Sequence, residues 1–221
     1  MITLHHLNNS RSQRILWMLE EVGIPYQITY YERDAKTLLA PPSLKAIHPL
    51  GKAPVLIDGE LALAESGLII EYLNEAKAAN RYLPDDHQQR WQARYWLHYA
   101  EGSLMPFLLL TLVFNKIKTS PMPFFVKPIA RGIADKVLQT FVMPNLNTHL
   151  DYIERHLAQH EWFAGEQLSI ADFQMVFPLE AALNRAVTAA SHPQIARFVQ
   201  QIQQRPAYRR ALEQGGPYDY A

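Results

Sequence analysis

Three short stretches carry side chains that could do chemistry together. Asn8-Asn9-Ser10-Arg11-Ser12-Gln13-Arg14 sets two hydroxyls and two cations between an apolar run and a helical pattern. Gly51-Lys52-Ala53-Pro54-Val55 places a proline at the mouth of a strand pattern, and Ala64-Glu65-Ser66-Gly67 sets an acid beside a hydroxyl where a helix begins. A hydroxyl near a helix N-terminus and a cation can donate to a bound anion such as a thiolate. Bringing a thiol from its usual pKa near 8.5 toward neutrality takes about 2 kcal/mol, roughly one charge-assisted hydrogen bond. Ser10 and Ser12 compete for that role, and Ser10 could equally be an N-cap.

Pro54 has two readings. Proline survives in sheets at edges and first positions, so a trans strand-starting proline is the simpler one. A cis Ala53-Pro54 bond, the form of about one X-Pro bond in twenty, would turn the backbone groups of Ala53 toward a cleft. Ser66 likewise suits an N-cap, yet a helix N-terminus also receives carboxylates. Glu65 beside it can accept from an ammonium. A carboxylate and an ammonium a few ångströms apart describe the α-amino-acid end of a ligand.

Composition narrows the function classes. The 221 residues carry 21 basic and 21 acidic side chains, a balance that argues against a nucleic-acid partner. There is no cysteine, which excludes disulfides, thiolate metal sites and cysteine nucleophiles, so any thiol chemistry needs a ligand's sulfur. Met1–Ser12 lacks a charged leader and apolar core, so a cytoplasmic protein is expected. Leu104–Phe114 is about half the length of a membrane span and contains Pro106, so it reads as a buried helix segment, with no membrane partner.

The elements that must position these residues follow from periodicity. Ile2–Leu7 reads as a strand, 10–23 as a helix closed by Gly23, 24–33 as a second strand, and Ser43–Ile47 as a short helix. Pro54–Asp58 and Leu61–Glu65 flank Asp58-Gly59, a hairpin signal, and a helix runs from Ser66 to about Ala76. Strand signals end there. A long helix or bent pair follows from 87, with Gly102 and Pro106 as bend points, then a loop over 115–131 and helices over 131–157, 169–185, 192–204 and 206–213. The expected division is an α/β domain over 1–78, a linker over 79–86 and an all-helical domain over 87–221.

Ser10-x-Ser12-x-Arg14, His48–Leu56 ("HPLGKAPVL"), Leu63–Leu73 ("LAESGLIIEYL") and Leu168–Phe173 ("LSIADF") together resemble the cytosolic glutathione transferase family over nearly the whole chain. Leu7–Glu21 is most similar to its serine-type bacterial and fungal members, near the theta-like and yeast-type branches. The resemblance implies a thioredoxin-like N-terminal domain, an all-α C-terminal domain and a homodimer. It implies glutathione as cosubstrate, no metal or other cofactor, and a small hydrophobic electrophile as second substrate. By motif position, Ser10 is the thiol-activating hydroxyl, Lys52 meets the glycine carboxylate, Ala53 before Pro54 reads the cysteinyl unit, and Glu65 and Ser66 hold the γ-glutamyl end. Ser12 stands where the theta-like form has proline, leaving an alternative hydroxyl. No tyrosine lies in the early loop, so tyrosine-type activation is not expected. Peroxidase or isomerase activity from the same thiolate, and a non-enzymatic glutathione-binding module, are the alternatives.

Other features read as structural. Ser169 and Asp172 form a variant capping box in a core helix. His156 and His160, spaced i, i+4 without a third ligand, read as solvent-facing side chains near a helix end rather than a metal pair. Tyr95–Leu110 supplies aromatic and apolar side chains, Tyr99, Met105 and Leu109 among them, for an apolar substrate cleft.

Overall fold

The computed structural model describes residues 1–34, 37 and 39–221. Its first half is β1 (Ile2–Leu7), α1 (Ser12–Val22), β2 (Tyr26–Tyr31), α2 (Pro42–Ile47), β3 (Val55–Asp58), β4 (Leu61–Ala64) and α3 (Ser66–Ala78). The strands lie in the order β2-β1-β3-β4, with β1 parallel to β2 and antiparallel to β3. Parallel pairing needs a crossover, and α1 supplies it. Its apolar residues Ile15, Leu16 and Leu19 are fully buried, and Gly23 ends it in the left-handed conformation (φ 75°) with its N–H on the Leu19 carbonyl at 3.0 Å.

Strand β2 is shorter than the expected 24–33, and two boundaries near the three stretches shift as well. Helix α1 begins at Ser12 rather than Ser10, because Asn8–Arg11 form a turn in which Asn9 has φ 49°. The hairpin turn is Gly59-Glu60, one residue later than expected, since Asp58 still pairs with Leu61.

The second half is α4 (His87–Tyr99), α5 (Met105–Thr119), α6 (Lys127–Val137), α7 (Met143–Leu157), α8 (Ile170–Arg185), α9 (Pro193–Gln203) and α10 (Pro206–Gly215). The expected bend at Gly102 is a π-helical turn over Ala100–Leu104, so α4 and α5 run on as one helix, His87–Thr119. That helix is long and apolar enough, by length and composition, to cross a membrane. The expectation that Leu104–Phe114 is buried holds for one side only: Leu104, Met105 and Leu108 are buried, whereas Leu109, Leu112 and Val113 are exposed. The loop expected over 115–131 shrinks to 120–126, because prolines near the first turn of a helix, such as Pro128 in α6, do not break it.

Helix α8 is buried almost all round, with Asp172, Gln174 and Glu180 among its buried side chains, and it joins the halves. Its Phe173 packs on Trp17 of α1 with ring centroids 4.4 Å apart, inside one apolar cluster that spans sheet and helices. The capping box forms: Asp172 accepts from the Ser169 N–H at 2.7 Å, the Ser169 hydroxyl at 2.8 Å and the Phe163 N–H at 2.9 Å.

Candidate functional site

Strand register gathers the three stretches at one edge of the sheet. His5 pairs with Val55 and Val55 with Ala64, so the chain leaves β1, enters β3 and leaves β4 on the same side. Residues 8–11, 52–54 and 65–66 therefore share that edge, although up to 58 positions separate them in sequence. The Ala53-Pro54 bond is cis. Pro54 is buried, Ala53 half-buried, and Lys52 exposed without a hydrogen bond or ion pair among the described residues.

The two hydroxyls of the first stretch differ in their surroundings. Ser10 Oγ donates to the Leu7 carbonyl at 2.7 Å, lies 2.8 Å from Ser12 Oγ and accepts from the Ser12 N–H at 3.2 Å. Ser12 Oγ accepts from the Leu7 N–H at 3.2 Å and also meets the Leu7 carbonyl at 3.1 Å and His6 Nδ1 at 3.0 Å. Ser12 is fully buried and surrounded by partners. Ser10 keeps 5% of its surface exposed. Arg11 is the N-cap residue of α1 and makes no side-chain cap, so Ser10, one position earlier, is what holds the Ser12 N–H of the first turn. His6, in the alternating pattern of β1, touches this pair through Ser12. Burial pushes its imidazole down to about 4, with a backbone hydrogen bond at Gly215 acting against it, so the ring is neutral at physiological pH.

At the third stretch, Glu65 rather than Ser66 is the N-cap residue of α3, with φ 70° and no side-chain capping bond. The carboxylate is exposed. Ser66 is the first helical residue, 4% exposed, and its Oγ accepts from Gln174 Nε2 of α8 at 3.3 Å.

Cations and an acid lie under the first stretch. Arg11 Nε sits 2.9 Å from both carboxylate oxygens of Glu101, which stands in the π-helical turn, and the fully buried Arg14 also pairs with Glu101. Arg14 Nη1 donates to the Gln174 carbonyl at 2.5 Å, and both guanidiniums lie 5.5 Å from the Phe177 ring centroid. Burial acts to raise the Glu101 carboxyl, but Arg14 and then Arg11 outweigh it and hold it below the ordinary range. The C-terminal tail closes over the turn, where the Asn9 amide donates to Asp219 at 2.8 Å and the Asp219 N–H returns a bond to Asn9 at 2.9 Å.

Glu101, Gln174 and Asp219 escaped the sequence reading because each lies at least 90 residues from Ser10. Of the expected cleft residues, Tyr99 and Met105 are buried, with the Tyr99 hydroxyl bonded to His149 Nδ1, and Leu109 is exposed. Only one of the two histidines expected to face solvent does so. His160 is exposed, but His156 is half-buried: its ring lies 4.7 Å from Trp96, and its Nε2 is 3.1 Å from the Phe163 carbonyl. The short Trp162–Gly165 bridge folds Phe163 back onto it.

Residues 10–76 match the family model "Glutathione S-transferase, N-terminal domain", and residues 117–206 match "Glutathione S-transferase, C-terminal domain". Glutathione S-transferase 3 of Schizosaccharomyces pombe is 38% identical over 96% of this chain and 87% of its own length. Glutathione S-transferase 1 of Saccharomyces cerevisiae is 35% identical over 96% of this chain and 94% of its own. The crystal structure of a glutathione S-transferase from Actinobacillus pleuropneumoniae superposes with a TM-score of 0.80 at 34% identity, covering 100% of this chain and 95% of the other.

Proposed function

The chain belongs to the glutathione S-transferase family, and from that premise we propose that it presents an ionised glutathione sulfur to small hydrophobic electrophiles. It is a transferase with glutathione as cosubstrate. The α/β half, 1–78, holds the tripeptide; the helical half, 87–221, supplies the apolar side of the cleft; and 79–86 links them. Lys52 meets the glycine carboxylate, the backbone of Ala53 before Pro54 meets the cysteinyl unit, and Glu65 with Ser66 takes the γ-glutamyl end. Ser10 turns its proton from the Leu7 carbonyl to the sulfur. The thiolate then attacks the electrophile, and the new carbon–sulfur bond displaces a leaving group or adds across a double bond. Catalysis is chiefly ionisation plus positioning.

The observation that carries Ser10 over Ser12 is hydrogen-bond saturation. Ser12 is fully buried with two Leu7 backbone groups, His6 and Ser10 around its one oxygen, whereas Ser10 has the less filled set and the exposed surface. The test is substitution with a titration of the bound thiol. Ser10→Ala should leave glutathione affinity nearly intact, raise the apparent thiol pKa read from thiolate absorbance, and lower turnover about tenfold or more, the loss of one charge-assisted bond. If Ser12→Ala produces that shift while Ser10→Ala does not, the assignment is wrong. A homodimer is part of the same proposal, supported by the exposed apolar face of helices α5 and α6.

A further inference from the structure

We infer that Gln174 is a positioning residue for glutathione, acting from the helical half through Ser66; this rests on the reading of Ser66 as a contact to the γ-glutamyl carboxylate. Gln174 is 2% exposed, and its Nε2 donates to Ser66 Oγ at 3.3 Å. A hydroxyl has one proton and two lone pairs. Gln174 fills one lone pair, and the Ser66 proton has no acceptor among the described residues. The hydroxyl is thereby held as an outward donor, the polarity a carboxylate needs, and a donor behind it strengthens the bond it makes in front. With the amide reversed, Ser66 would spend its proton on Gln174 Oε1 and have none for the ligand.

Two further observations concern the setting of Gln174. Its backbone carbonyl receives Arg14 Nη1 at 2.5 Å, which ties this point of α8 to the Arg14–Glu101 pair beneath the Ser10 turn. Gln174 Oε1 is buried without a partner, an uncommon state for a buried amide oxygen and one that packing alone does not call for. Glutamine is an odd choice here if only packing matters, because Met175, Val176 and Phe177 follow it in the same buried stretch of α8. The Gly67 position adds that α8 and the start of α3 meet closely: a Cβ there would lie 3.6 Å from Gln174 Nε2.

The experiment is a calorimetric cycle on the full-length protein with glutathione as the titrant. Gln174→Met keeps the length of the side chain and removes its hydrogen bonds. It should weaken glutathione about fivefold, the worth of one neutral hydrogen bond, while turnover at saturating glutathione moves less than about twofold. Gln174→Glu should weaken binding further, because a carboxylate there takes the Ser66 proton and repels the ligand's. Ser66→Ala should weaken binding too, and adding Gln174→Met to it should have no further effect. If Ser66→Ala weakens binding but Gln174→Met does not, or if the two losses add, the inference is overturned while the Ser66 reading stands. If Ser66→Ala leaves affinity unchanged, the Ser66 reading itself falls and this inference with it. Gln174→Glu binding as tightly as the parent would also overturn it, since with the amide reversed Gln174 already presents an acceptor to the Ser66 proton.

Discussion

Arg14 is the side chain whose situation is most demanding. Its guanidinium is wholly buried, and burial depresses its pKa against the pull of Glu101. Glu101 serves Arg11 and Arg14 together, so its removal strands a buried cation. Breaking one side of a buried pair costs about 3 kcal/mol or more, whereas replacing both sides with apolar groups is often near neutral. Glu101→Leu should therefore destabilise the protein by about that amount in urea unfolding, and Glu101→Leu with Arg14→Met should cost clearly less than the two single losses summed. Additive losses would show that the pair is not coupled. Gln174 and Ser66 are coupled in the same sense but with smaller stakes, since both are neutral.

Among elements, α5 and α6 stand out for what they leave uncovered. Leu109, Val113 and Ile117 recur at helical spacing on α5, Ile129 and Ile133 do so on α6, and all are exposed. More than half of the exposed large apolar side chains among the described residues fall between 109 and 141. A contiguous apolar stripe of that kind usually marks an interface, which is why the proposed homodimer is assigned to it. Light scattering at micromolar concentration should return twice the chain mass, and Ile129→Lys with Ile133→Lys should return the chain mass. A native monomer would remove the proposal. The π-helical turn at 100–104 acts at the same scale. Its extra residue interrupts the α-helical phase where Glu101 meets α1.

Across the whole molecule, buried titratable groups pull against one another. Burial pushes His6 and His156 down to about 4, so between pH 6.5 and 4 the unfolded chain binds protons that the folded one refuses. Acidification through that window removes stability. Burial pushes Asp172 up to about 6 and Glu180 up to about 7, against the hydrogen bonds each accepts. These two hold protons in the folded state that the unfolded carboxyls release until about pH 4, so acidification adds stability. The two effects oppose, but burial also depresses His5 and His149, so stability should fall gently from pH 7 to 5. Glu180→Gln removes part of the gain, and its urea midpoint should fall more steeply over that range than the parent's. Equal slopes would mean that Glu180 does not carry a raised pKa.

Much of the fold was legible because local rules operate alone there. Gly23 and Gly59 need left-handed backbone, the Ser169-x-x-Asp172 box closes a helix, and the switch from alternating to helical periodicity near residue 76 marks where the sheet ends. Ser10, Pro54, Glu65 and Ser66 could be singled out because hydroxyls, acids and proline at strand ends and helix starts have few local uses. What sequence could not supply was which of those groups keeps a free hydrogen-bonding capacity. The saturation of Ser12 depends on His6 and Leu7 arriving from β1, and the polarity of Ser66 depends on Gln174, 108 positions away. Sequence by itself determined the inventory and the elements, since these follow from backbone conformation and side-chain periodicity. Only the tertiary structure decided the donors and acceptors, because a hydrogen bond between distant residues exists only once packing has removed water from both ends.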